Sequence, residues 1–221
     1  MTKIASNIIS LSSQHAVKNT QRSITSTMLR LSTGLRINRP SDDPAGLAVS
    51  TKFTSQINGY NAASRNINDA ITMLQTADGA LAEISSLMDR MRELAVAASS
   101  ETSTTADRAS LNSEVTALET EIDRIGSSTT WGGINLLDGT FSDGAAMVFQ
   151  IGPRSGNTMS FTMGLLKATT AVEAQGGLGL TSDVTTRTKA SAYISSIDAA
   201  ISVVSSRRGS FGAASNQIGR A

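Results

Sequence analysis

LSTGLRINRPSDDPAGLAVS, residues 31–50, joins two helical patterns through a charged elbow. Its left side ends a helix at Ser32-Thr33-Gly34. Its middle carries the polar bridge Arg36-Asn38-Arg39, and its right side starts a helix at Ser41-Asp42-Asp43-Pro44. Asp43 is positioned to cap the following helix, and Pro44 takes the first helical position, where a missing N–H costs nothing. Asp42-Asp43 could also be read as acid/base or calcium-binding carboxylates. Their place directly before Pro44 favours capping, because the helix dipole stabilises negative charge there. No run of oxygen ligands ending in Glu, as an EF-hand needs, accompanies them.

Upstream of the elbow, Ile4, Ile8, Leu11, Val17, Ile24, Met28 and Leu31 recur at mostly three, four or seven positions. The pattern predicts an amphipathic helix with a stripe too narrow to hold it alone, so it is expected to order only against partners. Downstream, Phe53, Ile57, Tyr60, Ile67, Ile71, Leu74, Leu81, Ile84, Met88 and Met91 step at helical spacing without a proline from Ala45 to about Ser99. A helix of that length runs roughly 80 Å and reads as a coiled-coil-like rod.

The cluster Ser99–Thr105 predicts a turn, with Thr104 and Asp107 as a capping box. Leu111, Val115, Leu118, Ile122 and Ile125 predict a third helix, which Gly126 is expected to end. Trp131-Gly132-Gly133 and Leu137-Asp138-Gly139 read as turns. Alternation at Met147, Phe149, Ile151 and again at Met159, Phe161, Met163 predicts a β-hairpin. Leu165–Leu180, with Gly176, Gly177 and Gly179, reads as a loop or short insertion. Helix is expected to return at Ser182 or Asp183 as cap, with Ala190, Ile194, Ile197, Ile201, Val204 and Phe211 on its stripe.

Composition narrows the function classes. Of 221 residues, 39% are hydrophobic and 4% aromatic, which suits narrow helix–helix seams better than a bulky core. A net charge of +1 without a basic run gives no nucleic-acid face, and Arg207-Arg208 reads as solvated helix surface. No apolar run reaches spanning length, so membrane insertion is not expected. The chain has no cysteine, which removes disulfides, thiolate metal sites and a cysteine nucleophile. With His15 the single histidine, an HExxH zinc site is impossible, and a surface or interface role is expected for it. The glycine pairs form no phosphate loop. No catalytic residue, cofactor or metal is assigned, and Trp131 is expected to anchor core. In DRMRELA, residues 89–95, Met91 and Leu94 or Ala95 are expected on the seam, leaving Arg90, Arg92 and Glu93 solvated.

The chain resembles the bacterial flagellin family. LSTGLRINRPSDDPAGLAVS is similar to that family's amino-terminal signature. SRNINDAITMLQTADGALAEI (64–84), MRELAVAAS (91–99), WGGINLLDG (131–139) and RRGSFGAASNQI (207–218) match further segments in order. The resemblance implies a mainly α fold with a small β-hairpin region, an elongated rod domain of long coiled-coil-like helices. It implies an amino-terminal inner-core helix over residues 1–31 and a spoke over 32–43. The rod's amino-side helices would fill 44–130, its hairpin region 131–163, a short variable insertion 164–181 and a carboxy-side helix 182–221. The family continues past the last match into a second terminal helix that pairs with the first. The chain is expected to lack that helix and not to form normal filaments alone.

The function implied is a secreted structural subunit of the flagellar filament, exported by the type III route and polymerised for swimming motility. The alternatives are a hook–filament junction protein and a helical surface adhesin. DRMRELA and WGGINLLDG favour flagellin. Implied partners are other flagellin subunits, an export chaperone, and junction and cap proteins. The vertebrate Toll-like flagellin receptor would engage Arg90, Leu94 and Glu114. A plant flagellin receptor kinase would read the segment from Arg30, through Gly34, Arg36, Asn38, Asp42, Asp43, Gly46 and Leu47, to Ser50.

Overall fold

The computed structural model describes residues 8–139, 146–164, 166–168, 177–180 and 183–220. Ile4, Gly176 and Ser182, and the middle of the expected 164–181 insertion, lie outside the described residues. Element order is α1 (Ile8–Thr33), α2 (Pro44–Ser99), α3 (Thr105–Ser128), β1 (Thr130–Trp131), β2 (Ile134–Asn135), β3 (Met147–Gln150), β4 (Thr158–Phe161) and α4 (Arg187–Ile218). The chain divides into two compact units, one up to Asn58 and one from Gly59. No helix of the described residues is long and apolar enough to cross a membrane.

The first unit holds α1, the elbow and the start of α2. The expected helix forms, but no residue of α1 is buried. Its stripe is bare, with Leu31 at 85% exposure and Met28 at 67%. The same holds for Val49, Phe53 and Ile57 on α2. The hydroxyls of Thr20, Thr25, Thr27 and Thr33 bond back to carbonyls one turn earlier, so they satisfy themselves within α1.

The second unit contains the core. On α2 the buried positions form two rows of seven-residue period, Ala70, Ala77, Ile84, Met91 and Ala98 beside Leu74, Leu81, Met88 and Ala95. The turn after Ser99 reverses the chain, so α3 runs antiparallel to α2. Thr104 and Asp107 make the expected capping box. Arg108 closes the other side of this turn: its Nε donates to the Ala98 carbonyl and its Nη2 to that of Ser100, both at 2.8 Å. The Ala98 carbonyl belongs to the last turn of α2, where no helical donor follows, and that of Ser100 to the turn beyond it, so a guanidinium suits both.

Gly126 does not end α3, which continues to Ser128 with Thr129 as C-cap. Its backbone is helical and buried. A side chain there would run far inside van der Waals contact of the Leu166 carbonyl, so close approach, not a turn, requires the glycine. β1 and β2 pair Trp131 with Ile134 across Gly132 and Gly133, at φ 58° and 84°. Two consecutive left-handed residues suit the tight hairpin turn that glycine favours. Trp131 is partly buried against the core. The expected second hairpin also forms, pairing Met147 with Phe161 and Phe149 with Met159. The Phe149 and Phe161 rings stack at 5.1 Å. The turn of this hairpin lies on α2: Asn66 donates to the Gln150 carbonyl, and Pro153 sits against Gly59.

The described flanks of the expected insertion carry no helix or strand, yet their apolar side chains join the core. Leu166, Ala168, Leu178 and Leu180 are fully buried. Leu178 and Leu180 donate to the carbonyls of Lys167 and Ala168, and Leu166 donates to that of Leu137.

Helix α4 starts later than expected, with Thr186 as N-cap accepting from the Lys189 amide. Asp183 instead folds over the approach, accepting from the Thr185 amide and hydroxyl and pairing with Lys189. The Lys189 ammonium and these donors hold its carboxyl down at about 2, from an ordinary 3.8. A depressed carboxyl contributes stability above its unfolded pKa and loses it as pH falls through the folded one. Protection of the first turn of α4 should therefore fade between about pH 4 and pH 2. An NMR titration of Asp183 with its midpoint at the ordinary value would contradict this.

α4 runs antiparallel to α2 and parallel to α3. Its seam is Ala190, Tyr193, Ile197, Ala200, Val204, Phe211 and Ile218, with Ile194 and Ile201 only partly covered. Arg208 pairs with Asp78, but Arg207 is not solvated surface. It is half-buried across Gly164, and desolvation lowers its pKa.

Candidate functional site

The elbow is built from its own polar side chains. Gly34, at φ +69°, ends α1 and donates its N–H to the Arg30 carbonyl at 2.9 Å. This is the left-handed helix exit that glycine favours. Asn38 reaches back to the Leu35 carbonyl at 2.8 Å. The two adjacent carboxylates then divide the work. Asp42 Oδ2 accepts from the amides of Asn38 and Arg39 at 3.2 and 3.1 Å, and these hydrogen bonds lower its pKa. Asp43 Oδ1 accepts from the Gly46 amide at 2.8 Å and caps α2 as expected. A side chain at Gly46 would collide with the Asp43 carboxylate and Ile37, so capping itself requires glycine there. Ile37, which the sequence reading passed over, is the packing piece under that turn.

Of the plant-receptor segment, Arg30, Gly34, Arg36 and Asp42 are exposed, while Asn38, Asp43, Gly46 and Leu47 are half-buried. α1 and the elbow line an open groove with Lys18, Arg22, Leu29, Arg39 and Asp42.

The second candidate surface lies on α2 and α3. Arg90 donates to Glu114 through Nε and Nη2 at 3.1 and 2.8 Å, and to Glu93 through Nη1 at 2.9 Å. The Glu114 hydrogen bond, then that of Glu93, raises the Arg90 pKa. Arg92 points to the other side and pairs with Asp198 at 2.8 Å. Arg90 and Glu114 thus form one exposed polar patch. Leu94, one turn along from Arg90, is 4% exposed and packs in the core with Met91 and Ala95. His15 is exposed on α1. Among the described residues no group of three or more His, Cys, Asp or Glu converges.

The comparisons agree with this architecture. The sequence model described as the bacterial flagellin N-terminal helical region matches residues 4–142. The flagellin of Halalkalibacterium halodurans is 41% identical over 194 residues, covering 86% of this chain and 68% of that protein. Polar flagellin C of Vibrio parahaemolyticus is 39% identical over 181 residues, covering 82% of this chain and 46% of its own length. The chain spans about half the length of several curated relatives it matches. The crystal structure of Bacillus cereus flagellin superposes with a TM-score of 0.59 at 31% identity, over 70% of this chain and 84% of that one. A helical bundle with two small hairpins, the ordered segment matches and these relatives lead to one conclusion: the chain belongs to the bacterial flagellin family.

Proposed function

We propose that this chain is a structural subunit of a bacterial flagellar filament, carried outside the cell and polymerised with other flagellin subunits for swimming motility. The observation that carries this reading is α1: a helix of 26 residues with an apolar stripe and no buried residue. Such a helix is stable only when something covers its stripe. In a head-to-tail polymer the next copies cover it, and contacts of that kind do not close on themselves. On this reading residues 1–31 are the inner-core helix and 32–43 the spoke. Residues 44–130, 131–163 and 182–221 belong to the rod, with 164–181 between them. The role is structural, with no catalytic step. An export chaperone and junction and cap proteins are its further partners.

Immunogold labelling of the source bacterium tests this. Antibodies against the hairpin at residues 147–161 should decorate extracellular filaments along their length. Label confined to the hook–filament junction would favour a junction protein instead, and label on the cell body an adhesin.

The receptor surfaces belong to the same proposal. The Arg90–Glu114 patch is available to the vertebrate receptor, and residues 30–50 to the plant receptor kinase. Arg90→Ala should weaken vertebrate-receptor binding with stability changed by less than about 0.5 kcal/mol. Leu94→Ala should weaken it while also lowering stability, because Leu94 is core. Titration of both variants by surface plasmon resonance, beside thermal melts, separates the two effects. Unchanged affinity for Arg90→Ala would remove that residue from the surface.

A further inference from the structure

Charge is divided between the two units as sharply as the core is. Residues 1–58 carry seven Lys and Arg against two Asp and Glu, an excess of five positive charges. Residues 59–221 carry twelve against sixteen, an excess of four negative charges. The first 41 residues contain no Asp or Glu at all.

In the second unit the cations find partners at home. Arg90, Arg92, Arg124, Arg187, Lys189 and Arg208 each pair with a carboxylate. Among the described residues of the first unit, no cation forms an ion pair. Asp42 feels the charges of Arg30 and Arg39, but its Oδ2 is taken by the amides of Asn38 and Arg39. Asp43 is spent on the Gly46 amide.

Three of these cations share one groove. Lys18 and Arg22, one turn apart on α1, line it with Arg39 of the elbow, and all three are exposed. The groove is not the apolar stripe. Lys18, Thr25 and Leu29 each follow a stripe residue, Val17, Ile24 and Met28, so the groove face lies about 100° around the helix from it. A partner that covers the stripe does not by itself fill the groove.

The chain supplies the matching anion. On α2, Asp69 and Glu83 stand two seven-residue intervals apart on one exposed face, and neither forms an ion pair. In a head-to-tail polymer every copy offers one basic groove and one acidic face, and the two excesses nearly cancel copy by copy. An anionic lipid or nucleic acid in the groove would leave the acidic excess of the second unit unanswered. Single exposed pairs contribute little, but several complementary charges together steer encounter and fix its orientation.

We infer that the Lys18–Arg22–Arg39 groove of one copy seats the acidic α2 face of another, with Asp69 and Glu83 as its carboxylates. Charge orients the copies while apolar burial holds them. This deepens the filament reading and rests on it for its setting.

A charge swap between copies tests the seat. Sedimentation velocity of the concentrated parent chain should show self-association at low salt that weakens at least about tenfold at high salt, where exposed charges are screened. Lys18→Glu with Arg22→Glu and Arg39→Glu reverses the groove, and Asp69→Lys with Glu83→Lys reverses the face. Each variant alone should associate at least about tenfold more weakly than the parent, because like charges then meet. Their equimolar mixture should recover association, because the reversed groove of one meets the reversed face of the other. All five side chains are exposed, so circular dichroism should remain that of the parent.

A parent that does not associate, reversed variants that associate like the parent, or a mixture no stronger than its components would each overturn the seat. So would a parent that binds phosphatidylserine vesicles but not a second copy. Association strengthened by salt would assign assembly to the apolar stripe alone, against the seat. The immunogold labelling above reads the filament role separately: labelled filaments beside a failed charge swap would sink the seat and leave that role standing.

Discussion

Truncating Ile84 to alanine should destabilise the second unit by about 2–5 kcal/mol, the cost of deleting a fully buried aliphatic side chain and leaving a cavity. Ile84 has no exposed surface and sits midway along the buried row of α2. Truncating Leu31, a residue of similar size on α1, should change stability by less than about 0.5 kcal/mol, because at 85% exposure it has nothing to lose. Urea unfolding followed at 222 nm reads both, with the midpoint moving for one variant and not the other. Comparable effects would mean that α1 carries core contacts of its own.

The second large effect is expected at Gly126. Helix propensity alone favours Gly126→Ala by about 1 kcal/mol. Against that, the new methyl would overlap the Leu166 carbonyl, a backbone atom that cannot rotate away. Overpacking against a fixed neighbour costs about 1–3 kcal/mol and occasionally more, so the collision wins and the variant is destabilised. The Leu166 amide hydrogen bond to Leu137 should loosen with it. Gly79 supplies the control. It also lies within a helix, but a side chain there meets nothing, so Gly79→Ala should be stabilising by about 1 kcal/mol. Thermal melts of the two variants should move in opposite directions.

These two glycines mark how far sequence alone can reach. Periodicity locates α1, α2, α3 and the hairpin strands because it depends only on which residues are apolar. Short-range polar chemistry is equally legible: Asp43 before Pro44, Thr104 with Asp107 and the Gly132-Gly133 turn are local events that the structure repeats. Glycine after an apolar run usually ends a helix, which is why Gly126 reads as a stop in the sequence. The reason for the glycine, the Leu166 carbonyl, comes from a segment forty residues away.

The start of α4 fails for a related reason. Asp183 has the composition of a cap, but spends its oxygens on Thr185 and Lys189, and Thr186 does the capping. The long polar side chain of Arg108 leaves no periodic mark, and Tyr193 is hidden because the adjacent Ile194 offers a more apolar choice at nearly the same spacing. Tyr193 takes a core position beside Ile194, its hydroxyl answered by Glu119 on another helix. At the candidate surfaces, spacing separated exposed Arg90 from buried Met91 correctly. It could not show that Asp42 holds the loop amides of the elbow while Asp43 holds the first turn of α2.

On the proposed function, the core of the second unit is complete in a single chain, whereas the bare stripe of α1 is covered only by other copies. Hydrogen exchange read by mass spectrometry, on dilute chain and on filaments sheared from the source bacterium, tests it most directly. Peptides from residues 70–98 should be protected in both samples. Peptides from residues 8–33 should exchange nearly freely in the dilute chain and become protected in the filament. Strong protection of residues 8–33 in the dilute chain, or free exchange of the same residues in the filament, would contradict the account.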